Sequence, residues 1–261
     1  MKIFFRLLLL LFLVLLSFSA YPWNSMGHRV VAAIAYDHLT PAAKIKSNEL
    51  VSYLANAYPY SSTFQTASSW GDFLKFDDVH AYDSWHFYDR PFSLDNTPTH
   101  SVKTPNLVWA LNQSIAVLKS PNATQYEKAF FMRFVLHLTG DAHQPLHCIN
   151  FFSVNYPNGD DGGNAEPTQL HRQWDNALGF FDERCGLSSS KAQRANCFAD
   201  KLQTEYPEKY FGSKTTDLNP QDWADESFDL AKSQTQSQEV LKQQLALAGY
   251  RLANLLNALL G

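Results

Sequence analysis

A histidine and an aspartate four positions apart, His137 and Asp141, lie in the run FVLHLTGDAHQPLHC. On an α-helix this spacing puts both side chains on one face. Pro145 cannot continue such a helix and biases the residue before it away from helical conformation. The sequence therefore predicts a helix that ends before Pro145 and a turn that presents His147 beyond it.

The same spacing returns downstream in LHRQWD, where His171 and Asp175 are again four positions apart. Together with His147, the two pairs supply imidazole nitrogens and carboxylate oxygens, which are donors that zinc prefers. A zinc cluster requires these side chains to meet in space. We therefore expect the rest of the chain to be a scaffold that brings the two segments together.

The first twenty residues have the composition of a secretory signal. Two cations, Lys2 and Arg6, precede an apolar run over residues 7–16, and small residues follow. The apolar run is too short to span a bilayer. We predict a signal peptide over residues 1–20 and an exported protein, secreted or periplasmic, without stable membrane insertion.

The remaining chain, residues 21–261, is expected to be a single, monomeric domain. The sequence of 261 residues is 45% hydrophobic and 14% aromatic, enough for a substantial core. Loss of Lys2 and Arg6 leaves 19 basic and 25 acidic side chains, which moves the formal net charge from −4 to −6. An acidic protein has no broad positive patch for a duplex backbone. Positive charge for a nucleic acid would therefore have to come from bound metals.

The three cysteines fit an oxidising compartment. A bridge between Cys185 and Cys197 would close a short polar loop and stabilise the fold by roughly 3 kcal/mol. Cys148 is then left over. Its position beside His147 allows a ligand role, but a small buried thiol is the alternative that the sequence favours.

The hydrophobic periodicity predicts an all-α protein. A first helix is expected to end near Leu39, and Thr40 and Pro41 have the chemistry of the N-cap and first position of a second helix. Thr124 is the predicted N-cap of the helix that carries His137. Further helices are predicted near residues 106–119, 190–205, 221–232 and 236–260. No segment alternates strongly enough to require a β-sheet.

Six motifs in a fixed order carry a resemblance to a known family. They are WNSMGH, WGD, HFYD, HLTGDAHQPLH, GDDGGN and LHRQWD, and they run from Trp23 to Asp175. Each motif is weak alone, but the ordered set closely resembles the zinc-dependent single-strand-specific nucleases and 3′-nucleotidases of the S-one and P-one type. The resemblance implies an all-α fold shared with the zinc phospholipases C, with three zinc ions in a cleft.

The resemblance also implies which residues bind zinc. One ion would be held by Asp72, His86, His137 and Asp141. A second would share Asp141 and add His28 with the amine and carbonyl of Trp23. The third would be held by His147, His171 and Asp175. By the same alignment the remaining histidines, His38, His80, His100 and His143, are not ligands.

Trp23 could offer a free amine only as the first residue of the mature chain. Cleavage after Ala20 would leave Tyr21 and Pro22 ahead of it. Signal peptidase cleavage after proline is unfavourable, but an X-Pro dipeptide is of the type that dipeptidyl peptidases remove. We therefore expect maturation in two steps. Without the second step, Trp23 would offer only its carbonyl.

Two polar residues resemble the family's catalytic groups. Asp89, three positions after His86, looks like the acidic residue that orients the attacking water. Lys75, three positions after Asp72, stands where the family has a phosphate-binding arginine. Lysine keeps the charge but lacks the planar fork, so it would position phosphate less tightly. The alternative for Lys75 is a solvated helix lysine.

The predicted substrate-binding residues are Phe87, Gly163 and Asn164. Phe87 matches the family's base-stacking aromatic, and stacking favours single strands over a stacked duplex; its alternative is a core aromatic. The pair Gly163 and Asn164 resembles a segment that faces the base edge. Asp161 replaces a residue that is commonly basic, and the short AEPTQ segment indicates a shallower base pocket.

These residues predict an exported zinc-dependent endonuclease that cleaves single-stranded DNA and RNA to 5′-phosphate products and also has 3′-nucleotidase activity. The alternative is a zinc phospholipase C, since Asp160 and Asp161 are compatible with a choline-like head group. A third hypothesis is a catalytically silent helical binding module in which zinc serves stability alone. Open metal positions and Asp89 argue against the third.

Overall fold

The computed structural model describes residues 24–186, 190–233 and 237–261. The predicted signal peptide, the Tyr21-Pro22 dipeptide and the predicted ligand Trp23 lie outside these residues. Within them the predicted all-α architecture is confirmed.

The α-helices are α1 (Ser25–His38), α2 (Pro41–Tyr53), α3 (Phe64–Ala67), α4 (Trp70–Phe76), α5 (Leu107–Lys119), α6 (Gln125–Ala142), α7 (Leu170–Asp175), α8 (Lys191–Glu205), α9 (Pro220–Lys232) and α10 (Gln238–Leu260). Short 3₁₀ segments lie at Pro59–Ser61, Asp83–His86, Pro145–His147, Ala177–Asp182 and Glu208–Thr216.

Side-chain caps fix where the helices begin. Thr40 accepts a hydrogen bond from the Ala43 N–H, and Pro41 takes the first position of α2, as predicted. At α6, Thr124 and Glu127 form a reciprocal capping box that satisfies two otherwise unpaired N–H groups. The position of α6 along the chain, and hence the direction of its ligand face, is therefore set by local sequence.

The long helices α1, α6 and α10 lie in the interior. In α6 every residue from Met132 to Ala142 is buried, including the polar His137 and Asp141. Helices α1 and α10 approach closely at Gly249, where an added Cβ would lie 2.6 Å from Ile34 Cβ. Close packing of this kind leaves the interior side chains little room to move. Among the described residues, no helix combines the length and apolar character that crossing a membrane would require.

Two short strands form a parallel sheet that the sequence did not predict. Strand β1 (Arg90–Ser93) pairs with β2 (Ile149–Phe152) in register. Four-residue strands are too short to show alternation, and their pairing depends on contacts between segments far apart in sequence. Because β1 follows His86 and β2 follows His147, the sheet sets two predicted zinc ligands side by side.

The predicted disulfide between Cys185 and Cys197 is present. Cys148 is free and fully buried, and burial raises the pKa of its thiol well above the usual value. A thiol held in its neutral form is a poor metal ligand. The structure therefore favours the small buried thiol over the ligand role.

Candidate metal centre

Asp141 lies at the centre of one set of predicted ligands. Its carboxylate lies close to the rings of three histidines, which come from α1, α6 and the Asp83–His86 turn, and also to a fourth, His147, whose Nδ1 is 3.6 Å from Oδ1 and which belongs to the second set. The distances from its oxygens are 3.4 Å to His28 Nε2, 3.0 Å to His86 Nδ1 and 3.2 Å to His137 Nε2. Asp72 on α4 completes the set, with its Oδ1 3.5 Å from His137 Nε2. We call these five residues the Asp141 site.

The second set, which we call the Asp175 site, consists of His147, His171 and Asp175. His171 Nε2 lies 3.5 Å from Asp175 Oδ2, and His147 Nε2 lies 3.7 Å from Asp175 Oδ1. The two imidazole rings are nearly parallel, with centroids 5.0 Å apart. The turn at Pro145–His147 and the short helix α7 therefore meet as the spacing of the two His/Asp pairs predicted.

Backbone carbonyls hold three of the rings in one orientation. A carbonyl can only accept a hydrogen bond, so each Nδ1 facing one must carry a proton, and in the neutral ring Nε2 then keeps its lone pair. The three pairs are His137 with the Ser68 carbonyl at 2.7 Å, His147 with that of His86 at 2.9 Å, and His171 with that of Gly162 at 2.9 Å. This tautomer is the one a metal ligand requires.

Several buried nitrogen and oxygen atoms that could bind a metal at these sites lack a hydrogen-bond partner. They are His28 Nε2, Asp72 Oδ1 and Asp141 Oδ1 at the Asp141 site, and His147 Nε2, His171 Nε2 and Asp175 Oδ2 at the Asp175 site. Leaving buried polar atoms unpaired is costly, typically about 1–3 kcal/mol each. Bound cations would satisfy them. The residues present therefore fit a metal cluster by their geometry as well as by their chemistry.

The ligand atoms fall into three groups that could each hold an ion. In each group the atoms lie within 4.8 Å of one another. The groups are His28, His137 and Asp141; Asp72, His86 and His137; and His147, His171 and Asp175. Every predicted ligand among the described residues belongs to one of them.

Burial prepares these groups for a cation. It lowers the pKa of His86 and of His147 to about 4, so both rings are neutral at neutral pH. Burial also raises the pKa of Asp72 and of Asp175 to about 7. A cation would reverse the shift of the carboxyls, because positive charge nearby favours the carboxylate. Metal binding and release of protons are therefore coupled here.

Gly71 contributes to the Asp141 site because it lacks a side chain and so leaves room for the His137 ring. A Cβ at this position would lie 2.6 Å from His137 Cδ2. The helix α4, which carries Asp72, can therefore approach the His137 ring only because residue 71 is glycine. The WGD motif pointed to Asp72 alone, and nothing in the sequence revealed that Gly71 fits against His137.

A cavity of about 390 Å³ opens beside the Asp175 site. Its walls include Phe87, Asp89, His100, Lys103, Asn158 and Asp161. The Phe87 ring lies 4.9 Å from the His147 ring, and the ammonium of Lys75 lies 5.7 Å from the Phe87 ring centroid. Phe87 is thus half-buried between the metal centre and the cavity.

Asp89 faces this cavity. It has a left-handed backbone conformation, with φ 50°, and the residue is exposed. The surrounding protein still desolvates its carboxyl and, with Asp161 and Asp160, raises its pKa to about 6, while Lys103 acts in the opposite direction. The charged groups that act on Asp89 thus belong to the cavity and its loop, not to the predicted ligands.

Comparisons with known proteins agree with the motifs. The family model for S1/P1 Nuclease matches residues 23–261. The chain belongs to the S1/P1 nuclease family.

Nuclease S1 of Aspergillus oryzae is 27% identical over 215 residues, which is 74% of this chain and 66% of that protein. Endonuclease 4 of Arabidopsis thaliana is 27% identical over 181 residues, 60% of this chain and 55% of that protein. Endonuclease 3 of the same plant is 24% identical over 270 residues, 90% of this chain and 88% of that protein. The chain thus spans just under two thirds of Nuclease S1 and about half of Endonuclease 4.

In this S1/P1 nuclease, only one of the three predicted base-binding residues lines the cavity. Phe87 lines the cavity, whereas Gly163 and Asn164 are not among its lining residues, and the Asn164 amide donates to the Asp161 carbonyl at 2.8 Å. The structure adds His100 and Lys103 to the cavity wall. Sequence reasoning missed them because their loop carries no motif and reaches the cavity only through the fold.

Proposed function

We propose that this S1/P1 nuclease is a zinc-dependent endonuclease that cleaves single-stranded DNA and RNA to 5′-phosphate products and also acts as a 3′-nucleotidase. The observation that carries the proposal is the set of buried, unpartnered ligand atoms beside a cavity with an aromatic wall. We further propose export through a signal peptide at residues 1–20, followed by one monomeric domain at 21–261.

The proposed ligands are the residues of the two sites together with Trp23. Asn24, which follows Trp23 in the sequence, donates its backbone N–H to the Asp175 carbonyl at 3.0 Å, and this supports a role for the mature N-terminus. Three zinc ions, when bound, would lower the pKa of water and neutralise charge on the phosphodiester. The chain's part is to hold neutral imidazoles and carboxylates in one orientation.

Substrate positioning is assigned to Phe87 and Lys75. The Phe87 ring would stack on an unpaired base, which is worth roughly 1–3 kcal/mol and is unavailable to a base inside a duplex. The Lys75 ammonium lies over that ring, 5.7 Å from its centroid, and we assign it to contact with a substrate phosphate. Gly163 and Asn164 are proposed to shape the loop that bounds the cavity.

Asp89 has two possible roles at this site. As a carboxylate it could orient the attacking water, as the family resemblance implies. Its position on the cavity wall, among Asp161, Asp160 and Lys103, supports contact with the substrate held there. Both roles need the ionised form, and they differ in the kinetic parameter that each one affects.

One observation favours a phospholipase C as a second candidate. Asp89 and Asp161 line the cavity, so a cationic choline-like head group would find carboxylates there. Family membership supports the nuclease, because the matching family is one of nucleases.

Parallel assays of the purified protein test the proposal. The substrates are single-stranded DNA, duplex DNA, RNA, a 3′-nucleotide and phosphatidylcholine, each with zinc and after chelation. We expect hydrolysis of the single strands and the 3′-nucleotide, loss of activity on chelation, and a lower melting temperature without zinc. Activity on phosphatidylcholine alone would favour the phospholipase, and activity unchanged by zinc removal would refute both.

A further inference from the structure

Gln144 is a fully buried amide that lies within the HLTGDAHQPLH motif, but no role has been given to it and it belongs to none of the candidate ligand groups. It lies between the end of α6 and the Pro145–His147 turn, and none of its surface is exposed. Its Oε1 accepts a hydrogen bond from the Leu146 N–H at 2.7 Å, and its Nε2 donates to Asp175 Oδ1 at 2.8 Å. The Leu146 N–H can only donate, so the amide has one orientation that satisfies both partners. Its NH₂ group must therefore face Asp175.

This contact makes the two oxygens of Asp175 inequivalent. Oδ1 is occupied by the Gln144 amide, whereas Oδ2 has no hydrogen-bond partner and lies 3.5 Å from His171 Nε2. A carboxylate without such an anchor rotates about its terminal bond with little cost, since that torsion is broad. Gln144 thus restricts the rotation and leaves Oδ2 facing the unpartnered Nε2 of His171, while His147 Nε2 lies 3.7 Å from the Oδ1 that Gln144 binds.

The same amide joins two segments that the chain connects only through a long loop. Gln144 directly follows the helix of Asp141 and precedes the turn of His147, while Asp175 lies on α7 after residues 153–169. The residue before helix α7, Gln169, has a left-handed conformation, and its side chain does not cap the helix. The position of α7 against α6 therefore depends on a small number of specific contacts, of which the Gln144 bond to Asp175 is buried and direct.

We propose that Gln144 is a positioning residue that presents Asp175 Oδ2 to the zinc ion of the Asp175 site. This inference rests on the proposed function, in which Asp175 is a zinc ligand. Gln144 itself does not touch the metal or the substrate. Its effect is on the affinity of one ion, because hydrogen-bond partners of metal ligands commonly change metal affinity by roughly 10–100-fold when removed.

Two substitutions separate the contact with Asp175 from the local turn. Gln144→Asn retains an amide oxygen that can accept from the Leu146 N–H, since asparagine readily bonds the backbone two residues on. Its side chain is one methylene shorter and cannot also reach Asp175. Gln144→Met removes both hydrogen bonds while keeping a similar volume. Both variants should therefore weaken the Asp175 site, and Gln144→Asn should do so with the turn intact.

Gln244→Met is the matched control. Gln244 is also a buried amide near the end of α6, but its Nε2 donates to the His143 carbonyl at 3.2 Å and to Ser227 Oγ at 3.4 Å. Its loss should lower the melting temperature without changing zinc affinity. A purely structural role for Gln144 would make the two glutamines behave alike.

The measurement is the number of zinc ions per chain after dialysis, the affinity of the weakest one by chelator competition, and the melting temperature with and without zinc. We expect Gln144→Asn and Gln144→Met to bind the weakest zinc about 10–100-fold less tightly than the parent and Gln244→Met to match the parent. Parental affinity in Gln144→Asn would overturn the inference and leave the proposed function standing. A parent protein that binds no zinc would overturn both.

Discussion

The Asp141 site and the Asp175 site are equally buried, but they are built in different ways. The residues of the Asp141 site come from α1, α4, α6 and the Asp83–His86 turn, which are parts of the core. Next to it, Trp70 packs its ring 5.2 Å from Phe134 on α6. The Asp141 site is thus held by the same packing that holds the fold together.

The Asp175 site depends on fewer contacts. Its helix α7 has six residues and is bounded by the left-handed residues Gln169 and Ala177. Hydrogen bonds to the Gly162 carbonyl and to Gln144 fix its two ligands on that helix. The comparison teaches that core packing holds the ligands of the Asp141 site, whereas the ligands of the Asp175 site lie on a turn and a short helix. Damage to the first should affect more than one ion, and damage to the second should affect one.

Replacing the two aspartates tests this difference directly and should have the largest effect. Asp141 lies close to four histidines, one of them from the Asp175 site, so we expect Asp141→Ala to lose more than one zinc ion per chain. It should reduce turnover by roughly 1,000-fold or more, about 4 kcal/mol of transition-state stabilisation. Asp175→Ala should lose one ion. Zinc analysis of the dialysed proteins, with activity on single-stranded DNA, checks both. Equal zinc loss in the two variants would contradict the comparison.

Gly71→Ala should have the next largest effect and should act on the Asp141 site alone. The new Cβ would force the His137 ring to move, because the two would otherwise be 2.6 Å apart. Overpacking typically costs about 1–3 kcal/mol, and here a proposed zinc ligand would be displaced as well. We expect a lower melting temperature and weaker zinc binding.

Gly249→Ala is the control for this prediction. Its Cβ would lie equally close, 2.6 Å, to Ile34 Cβ, in a part of the core where the predicted ligands take no part. It should lower the melting temperature and leave zinc affinity at the parental value. If both variants bound zinc like the parent, the fit of Gly71 against His137 would have no functional meaning.

These two glycines also show where sequence reasoning ends. The spacing of His137 and Asp141, the caps at Thr40 and Thr124, and the break at Pro145 are local, so they could be predicted. The contact of Gly71 with His137 and the parallel strands β1 and β2 depend on the approach of distant segments, which no local pattern encodes. The same holds for Gln144. Its motif predicted a turn, and its bond to Asp175 became visible only in the fold.

Asp89→Asn should have a smaller effect, and one that depends on pH. Desolvation by the surrounding protein and the nearby carboxylates of Asp161 and Asp160 raise the pKa of the Asp89 carboxyl to about 6, so the carboxylate is present above that pH and is lost as the pH falls through it. The ratio of parental to variant activity should therefore be roughly 100-fold at pH 8 and fall to roughly tenfold at pH 5, where about a tenth of the carboxyl is still ionised. A loss in kcat would assign Asp89 to water orientation, and a rise in KM to substrate contact.

Asp161→Asn is the control, since this carboxyl lines the same cavity. We expect it to change activity by a smaller factor than Asp89→Asn does. Zinc content should be parental in both variants, because neither carboxyl belongs to a ligand group. An activity ratio for Asp89→Asn that stays flat from pH 5 to pH 8 would show that the carboxylate of Asp89 makes no contribution.

Lys75→Arg should have the smallest effect, because it preserves the charge that links the two sites. The Lys75 ammonium lies over the Phe87 ring and acts on Asp72 at one site and Asp175 at the other. Arginine adds a planar fork that can bind a phosphate through two hydrogen bonds, so KM for single-stranded DNA should fall by about threefold with kcat unchanged.

Lys44→Arg is the control. Lys44 lies on α2, and its ammonium also lies over an aromatic ring, that of Tyr36. Steady-state kinetics on one oligonucleotide, with Lys75→Met to remove the charge, measure the effect. Parental kcat/KM in Lys75→Met would mean that Lys75 is an ordinary solvated helix lysine and that the two sites act on phosphate without it.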